Sequence, residues 1–345
     1  MIIDAHGHYT TVPPGMRIFR ALQISNMGRP TRSAVNITDD EIRASLEKGQ
    51  IRILDERGID VMLFSPMASA MGHHFGNPRI SRYWTEVNND LIHRVCTLYP
   101  DRFVGIGALP QSPGVSPKDC VEELARCVTE LGFIGCNVNP DPSGGYWTDP
   151  PLGDEWWYPL YEKLEELDVP AMVHASATCN PAFHTTGSHY LNVDSSAFLQ
   201  LMESRVFLDF PKLRLVISHG GGNVPYQSAR YRAIGIMNKW EPFEAFIKRL
   251  YFDTTVYSQD AMEMLVRVVG VDNVLFASEM LGGVTTIDPA TGRYFDDNKP
   301  CLDGIAWLTP EDRQKICEDN VRQAYPRLGP VLDRRPAQTA ATRGN

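Results

Sequence analysis

Two histidines one residue apart open the chain, in Ile3-Asp4-Ala5-His6-Gly7-His8. Two more follow in Val173-His174 and Ser218-His219-Gly220-Gly221-Gly222, and an acid stands in Phe276-Ala277-Ser278-Glu279-Met280. Imidazole nitrogen is a favoured donor for divalent metals, and side chains two apart on a strand point the same way, so His6 and His8 can reach one ion. A lone His-x-His pair is a weak signal, and its weight here comes from its company. His174, His219 and Glu279 also stand at the ends of short apolar runs, where barrel enzymes assemble their sites from different strands. Histidines that only pack a core have no reason to choose that end repeatedly. The pattern predicts a metal centre that activates water: zinc held by neutral nitrogens lowers the pKa of its water from about 15.7 toward roughly 7. Glu279 would then act as base and His219 as acid.

The elements that position these residues are eight apolar runs, ending or centred on Ile2-Ile3, Val61–Phe64, Phe103–Ile106, Phe133–Cys136, Ala171–Val173, Leu213–Ile217, Leu250–Phe252 and Val274–Ala277. Continuous rather than alternating apolar runs mark buried parallel strands covered by helices. Helical stretches lie between them. Ser116-Pro117 opens one that Gly132 closes, Thr309-Pro310 opens another that Pro326 stops, and Glu41–Arg57 reads as a third. Eight strands alternating with helices predict a (β/α)8 barrel. We expect one barrel domain over residues 1–335, with long connections at 10–39, 140–153 and 282–303, and a frayed polar tail at 336–345.

The chain has 345 residues, 43% of them hydrophobic and 22% charged, enough for a full core without disulfides. Its net charge of −9 is spread along the sequence, and no basic run offers a surface for nucleic acid. Seven cysteines without a C-x-x-C pair argue against a disulfide framework or a thiolate zinc knuckle and suit a reducing cytoplasm. No apolar run reaches the roughly 18 to 20 residues of a membrane span, and no signal-peptide pattern opens the sequence.

Together, the opening Ile3–His8 segment, Val173-His174, Ser218–Gly222, Glu279 and the closing Ile316-Cys317-Glu318-Asp319-Asn320-Val321 resemble the amidohydrolase superfamily over nearly the whole chain. The likeness is to its branch of decarboxylases and hydratases acting on products of aromatic-ring breakdown. The resemblance implies that His6, His8, His174 and Glu279 bind one divalent metal, usually zinc, and that His219 handles a proton or polarises substrate. A lysine that could be carboxylated to bridge two metals would lie on strand four, where Gly135–Asn139 has none. Most relatives carry aspartate at the Glu279 position. The longer glutamate, with the segments Asn139–Gly145 and His184–Tyr190, resembles the hydratases and implies addition of water across a carbon–carbon double bond of an unsaturated polycarboxylate. The rival on the same scaffold is non-oxidative decarboxylation of an aromatic or muconate semialdehyde acid, and a third reading is lactone hydrolysis. Family likeness also implies a homodimer or larger homo-oligomer.

A polycarboxylate needs cationic and hydrogen-bonding anchors. Lys48, Tyr190 and Arg230 are the candidates, with Asn137 at the end of strand four facing the right way for substrate contact. His73-His74 and His189 could line the mouth, although an exposed turn and loop packing explain them as well. Cys136 and Cys179 read as small hydrophobes rather than nucleophiles. Gly220-Gly221-Gly222 lacks the Lys-Ser/Thr of a phosphate loop and reads as close backbone approach beside the metal pocket.

Overall fold

The computed structural model describes residues 1–27, 29 and 35–333; the expected tail at 336–345 lies outside them. Eight short parallel strands appear in chain order: β1 (Ile3–His8), β2 (Val61–Ser65), β3 (Phe103–Gly105), β4 (Cys136–Val138), β5 (Ala171–Val173), β6 (Leu215–Ile217), β7 (Tyr251–Asp253) and β8 (Val274–Leu275). They pair in sequence as β1-β2-β3 and as β4-β5-β6-β7-β8. Two seams join these sheets. On one side Gly107 N donates to Gly135 O at 2.9 Å and Asn137 N to Gly107 O at 2.8 Å; on the other Ala5 N donates to Phe276 O at 2.9 Å and Glu279 N to His6 O at 3.0 Å. The sheet therefore closes on itself, and the fold is the expected (β/α)8 barrel.

Alternation along the strands separates two cores. Ile3, Ala5, Val61, Leu63, Val104, Ile106, Ile134, Met172, Val216 and Leu275 fill the barrel interior. Met62, Phe64, Phe103, Val138, Val173, Ile217 and Phe252 face outward against the helices. The C-terminal segment contributes Val321, Ala324, Tyr325 and Leu328 to the inner cluster. Tyr325 also lines the small void beneath His6, beside Met172 and Ile106, so it floors the site from the barrel axis.

One irregularity in β1 decides where the first two histidines point. Ile3 and Asp4 pair with Val61 and Met62, whereas Gly7 and His8 pair with Phe64 and Ser65. Between these pairs β1 holds one residue more than β2, which is a β-bulge. The extra residue resets the alternation, so the strand that buries Ile3 and Ala5 inside the barrel also turns His8 inward, opposite Ser65. Gly7 is pressed outward: a Cβ there would lie 2.3 Å from Met62 Sδ and 2.9 Å from Leu63 O.

The helices depart from expectation in detail. The stretch expected as one helix over 41–57 is Asp39–Leu46 and Arg52–Arg57, joined by a wide turn at Glu47–Ile51 in which Gly49 leaves helical geometry. Thr38 and Glu41 form a reciprocal cap at its start. The first long connection carries a helix, Pro14–Ser25, whose Phe19 stacks on Trp84 of the helix Pro78–Leu98. The third is pinned back to the barrel, where Arg57 donates to Asp296 at 2.6 Å and Leu281 N to the same carboxylate at 3.0 Å.

The interior position of Tyr325, 1% exposed, gives a stability test. Removing a buried aromatic ring typically costs about 3–5 kcal/mol, and we expect a loss of that size for Tyr325→Ala in urea unfolding of the chelator-treated protein. A loss under about 1 kcal/mol would mean that the C-terminal segment does not plug the barrel.

Candidate metal centre

The inward alternation that places Met172 in the barrel places His174 there too, two residues on. The same rule carries Asp253 inward after Tyr251, at the end of β7. His6 Nε2 lies 3.0 Å from His8 Nε2, which lies 3.2 Å from His174 Nε2. The other nitrogen of each ring is occupied. His6 Nδ1 meets Asp253 Oδ2 at 2.7 Å, and His174 Nδ1 meets Ala175 O at 2.8 Å. His8 Nδ1 meets Ser65 Oγ at 2.7 Å, while that hydroxyl faces the carbonyls of Gly7 and Pro66. A carboxylate and a carbonyl only accept, and a serine that donates to a carbonyl accepts from the imidazole, so each ring carries its proton on Nδ1. Three unprotonated Nε2 atoms then face one another with no hydrogen between them. Their lone pairs repel unless a cation lies at the convergence, and their spacing suits nitrogens bound at about 2.0–2.1 Å around one ion. The donor set fits a single divalent metal.

Glu279 supplies the carboxylate. Its Oε1 lies 3.9 Å from both His8 Nε2 and His174 Nε2, and its Oε2 lies 3.6 Å from His219 Nε2. His6, His174, His219 and Glu279 are all buried, with ligand atoms within 4.8 Å of one another. His219 stands beside the three converging rings, its centroid 5.0 Å from that of His174 and 5.5 Å from that of His6; its Nδ1 meets Asp194 Oδ2 at 2.9 Å, and its Nε2 is buried without a hydrogen-bond partner. Tyr190 stacks flat on His219, with ring centroids 5.4 Å apart and planes at 7°, and meets His174 edge-on.

Charge follows this geometry. Burial, with His6 and His174 nearby, holds His8 well below the usual imidazole range, and burial brings His174 down to about 4, so both are neutral donors at pH 7. Burial works against charge on His219, but the Asp194 carboxylate outweighs it and, with Glu279, raises His219 well above that range. Burial likewise opposes charge on Glu279, and the imidazoles around it, His174 and His219 first, overcome it and hold the carboxyl far below the usual carboxylate value.

Of the anticipated substrate contacts, Tyr190 is in the site. Asn137 is one step behind it, its Nδ2 donating to Ser65 Oγ at 3.1 Å, where it helps fix the hydroxyl that orients His8. Lys48 is exposed in the wide turn Glu47–Ile51, and Arg230 is exposed on the helix Ser228–Asn238 with its Nε on Gln227. Among the described residues no hydrogen bond or ion pair joins either to the histidines. Cys136 is buried and its thiol is pushed up to about 12, which suits the inert role expected of it.

Asp253, Asp194 and Tyr257 were not anticipated. Asp253 stands one residue beyond the seventh apolar run, and an acid at a strand end is the signal that could have found it. Besides His6 it accepts Gly220 N at 3.1 Å and Thr255 N at 3.0 Å, tying the turn that carries His219 to the ring of His6. Asp194 lies inside the helix Tyr190–Met202 and has no strand-end signal. The Tyr257 hydroxyl donates to Glu279 Oε2 at 3.0 Å. His219, Tyr257 and Glu279 hold φ of 48°, 60° and 50°, the left-handed region that non-glycine residues rarely adopt. The turn after His219 continues that way, and a Cβ on Gly222 would lie 2.3 Å from Leu191 O, so the three glycines do serve close backbone approach.

The sequence model of the amidohydrolase family matches residues 3–327. The chain belongs to the amidohydrolase family. A 2-keto-4-carboxy-3-hexenedioate hydratase from Sphingobium sp. is 47% identical over 338 residues, 97% of this chain and 99% of the relative. The crystal structure of 4-oxalomesaconate hydratase, LigJ, from Rhodopseudomonas palustris superposes with a TM-score of 0.89 at 46% identity, covering 96% of this chain and 98% of that one. A dihydroxybenzoic acid decarboxylase from Polaromonas sp., solved with bound manganese, shares the fold at a TM-score of 0.69 and 21% identity, covering 94% and 96%. Among the described residues no helix is long and apolar enough to cross a membrane.

Two measurements test this centre. Elemental analysis of the purified protein should find about one divalent metal per chain, and His8→Ala should reduce that to a small fraction while the far-ultraviolet circular dichroism spectrum stays unchanged; full metal content in the variant would remove His8 from the ligand set. His73, buried beside the site with its ring nitrogen on Gln111 O, is pulled down by burial from 6.5 to about 4. The unfolded chain therefore binds this proton more readily, so the contribution is complete above pH 6.5 and is lost as pH falls through 4. Between pH 7 and 4 His73→Gln should lose about 3 kcal/mol less unfolding free energy than the parent; equal losses would show that His73 is not buried neutral.

Proposed function

We propose that this chain is a zinc-dependent hydro-lyase that adds water across the carbon–carbon double bond of 4-oxalomesaconate, giving 4-carboxy-4-hydroxy-2-oxoadipate in protocatechuate or gallate catabolism. The observation that carries the reading is the placement of the Glu279 carboxylate 3.6 Å from His219 Nε2, beside three converging imidazole nitrogens. The hydratase relatives at 46–47% identity over nearly the full chain support the same reaction class.

When bound at His6, His8 and His174, a divalent ion supplies Lewis acidity that makes water an effective nucleophile near neutral pH. The protein's own groups move the protons. Glu279 Oε1, on the histidine side, accepts one proton from water as its oxygen adds to the substrate. His219 Nε2 gives a proton to the neighbouring carbon, and Asp194 holds the ring in the orientation and charge state for that transfer. Addition of OH and H is then complete, with Glu279 protonated and His219 neutral. A proton passed from Glu279 back to His219 across the same short gap restores the starting state. Tyr257 steadies the Oε2 end of the carboxylate, and the Tyr190 ring keeps bulk water from His219.

Decarboxylation on this scaffold would need a proton delivered to carbon but no base to take one from water. The placement of Glu279 therefore favours hydration. Incubating the zinc-loaded protein with 4-oxalomesaconate should bleach the conjugated chromophore without releasing carbon dioxide; gas release would sink the proposal. Glu279→Gln should retain the histidine-held metal and lose about 10²–10⁴-fold in kcat, the usual range for a general base.

A further inference from the structure

Three successive amides past the end of β8 lead back to β1. Ser278 N donates to Asp4 Oδ1 at 3.1 Å, Glu279 N to His6 O at 3.0 Å and Met280 N to Ser278 Oγ at 3.2 Å. The Ser278 hydroxyl in turn donates to Asp4 Oδ2. On either side the chain is held by other elements: Ala277 N donates to Thr254 Oγ1 at 2.8 Å and Leu281 N to Asp296 at 3.0 Å. The residue that carries the proposed base and its two neighbours therefore hang from Asp4 and His6, directly or through one hydroxyl.

Asp4 belongs to the opening Asp4-Ala5-His6-Gly7-His8 run but takes no part in holding the imidazole rings, whose acceptors are Asp253, Ser65 and Ala175 O. It is 0% exposed, and among the described residues it forms no ion pair. A buried carboxylate without a cation is costly and persists only where donors surround it. Its third donor is His6 N, at 3.1 Å. That amide lies inside the irregular step of β1 between Asp4 and Gly7, where an extra residue is left without its ladder partner. One carboxylate thus closes the bulge on its own strand and grips the end of β8 across the seam.

Glu279 depends on such a grip. It stands four residues past Val274–Leu275, a strand of two residues, with φ of 50°, a conformation that persists only where its surroundings over-determine it. The space around it is tight as well: a Cβ on Gly282 would lie 2.6 Å from Glu279 O and 2.9 Å from Glu279 Cγ. The histidine rings have their own Nδ1 partners, so release of Asp4 would shift the Glu279 carboxylate more than the rings.

We propose that Asp4 is a positioning residue for the proton transfer: with Ser278 it clasps β8 to β1 and sets how far the Glu279 carboxylate stands from the three converging nitrogens. This rests on the reading of Glu279 as the base. Asp4 itself meets backbone amides and the Ser278 hydroxyl, and acts through them.

The test is a double-mutant cycle on the zinc-loaded full-length protein. Asp4→Asn keeps an oxygen for the two amides but sets an NH2 group against the Ser278 hydroxyl, which loses its acceptor. Misplacing a reacting group by about 1 Å can cost about 10²-fold, so kcat for 4-oxalomesaconate should fall about 10–100-fold, with KM changed less than about twofold and about one metal per chain retained. In the Glu279→Gln background the same substitution should cost less than about twofold, because the group it positions is already gone. Equal losses in both backgrounds, or loss of metal in step with activity, would assign Asp4 a merely structural role and overturn the proposal. Full turnover in Glu279→Gln alone would sink the base reading and the proposal with it. Should Asp4→Asn not fold, Ser278→Ala carries the same cycle with the same expected pattern. The cobalt-substituted protein gives a readout free of turnover: the visible absorption of Asp4→Asn should shift from the parent in the same direction as that of Glu279→Gln, and an unchanged spectrum overturns the clasp. A parent that does not hydrate 4-oxalomesaconate would sink the hydratase reading alone and leave the cobalt comparison to decide the clasp.

Discussion

Three imidazole nitrogens facing one another at about 3 Å is an arrangement no protein reaches by hydrophobic collapse. Each lone pair repels the next, and each ring gives up water on burial. What holds them is the set of acceptors behind them: Asp253 for His6, Ser65 for His8 and the Ala175 carbonyl for His174. By fixing every proton on Nδ1, these partners aim the opposite nitrogens inward and raise their basicity toward a cation. The barrel is the device that brings the acceptors into range, because β1, β2, β5 and β7 are far apart in sequence and adjacent or facing only once the sheet closes. The seam between β8 and β1 matters most, since Glu279 N donates to His6 O across it, and the carboxylate and the first ligand therefore share one backbone hydrogen bond.

The same closure carries the strain. His219, Tyr257 and Glu279 hold left-handed backbone conformations, each of which costs about 1–3 kcal/mol. All three lie two to four residues beyond strand ends, where the chain turns back over the barrel rim. The geometry is offset by what lies around it: Asp253 binds the turn after His219, Asp296 binds Leu281 N, and Asn298 holds the carbonyls of Thr254 and Ala277. The long connection over 282–303 thereby acts as a brace on the strand end that presents Glu279, rather than as a loose insertion over the mouth.

Much of this was legible in the sequence because strand ends in a barrel are marked by apolar runs, and residues just past them must face the site. His6, His8, His174, His219 and Glu279 were all found that way. Residues without that marker were not. Asp194 sits within a helix and reaches His219 only because the turn Thr185–His189 sets that helix against β6. Tyr257 lies four residues past β7 and reaches Glu279 by virtue of a positive φ that no propensity scale anticipates for tyrosine. The bulge in β1 was equally hidden: simple alternation accounts for His6 and His8 pointing the same way, but only the extra residue reconciles them with an inward Ile3 and Ala5. Lys48 and Arg230 were read from residue type and family likeness, and charged side chains on helices carry no periodic signal that separates a site from a solvated face.

The charge layout shows how a protein with a net charge of −9 would accommodate the polyanion of the proposed reaction. The acids nearest the centre lie behind the histidines: Asp253 and Asp194 have their oxygens turned to His6, His219, Ser218 and backbone amides. Glu279 is the exception that chemistry requires, and it is paired with His219. In a water-poor pocket, where fields are screened less than at the surface, this ordering matters more than net charge. Acids placed behind imidazoles raise the basicity of the ligands and the proton affinity of His219 while keeping negative potential away from the inner face. Moving any one of those acids to the inner face would weaken the metal site and set a like charge against the proposed substrate, which is why the orientation of the histidines matters as well as their presence.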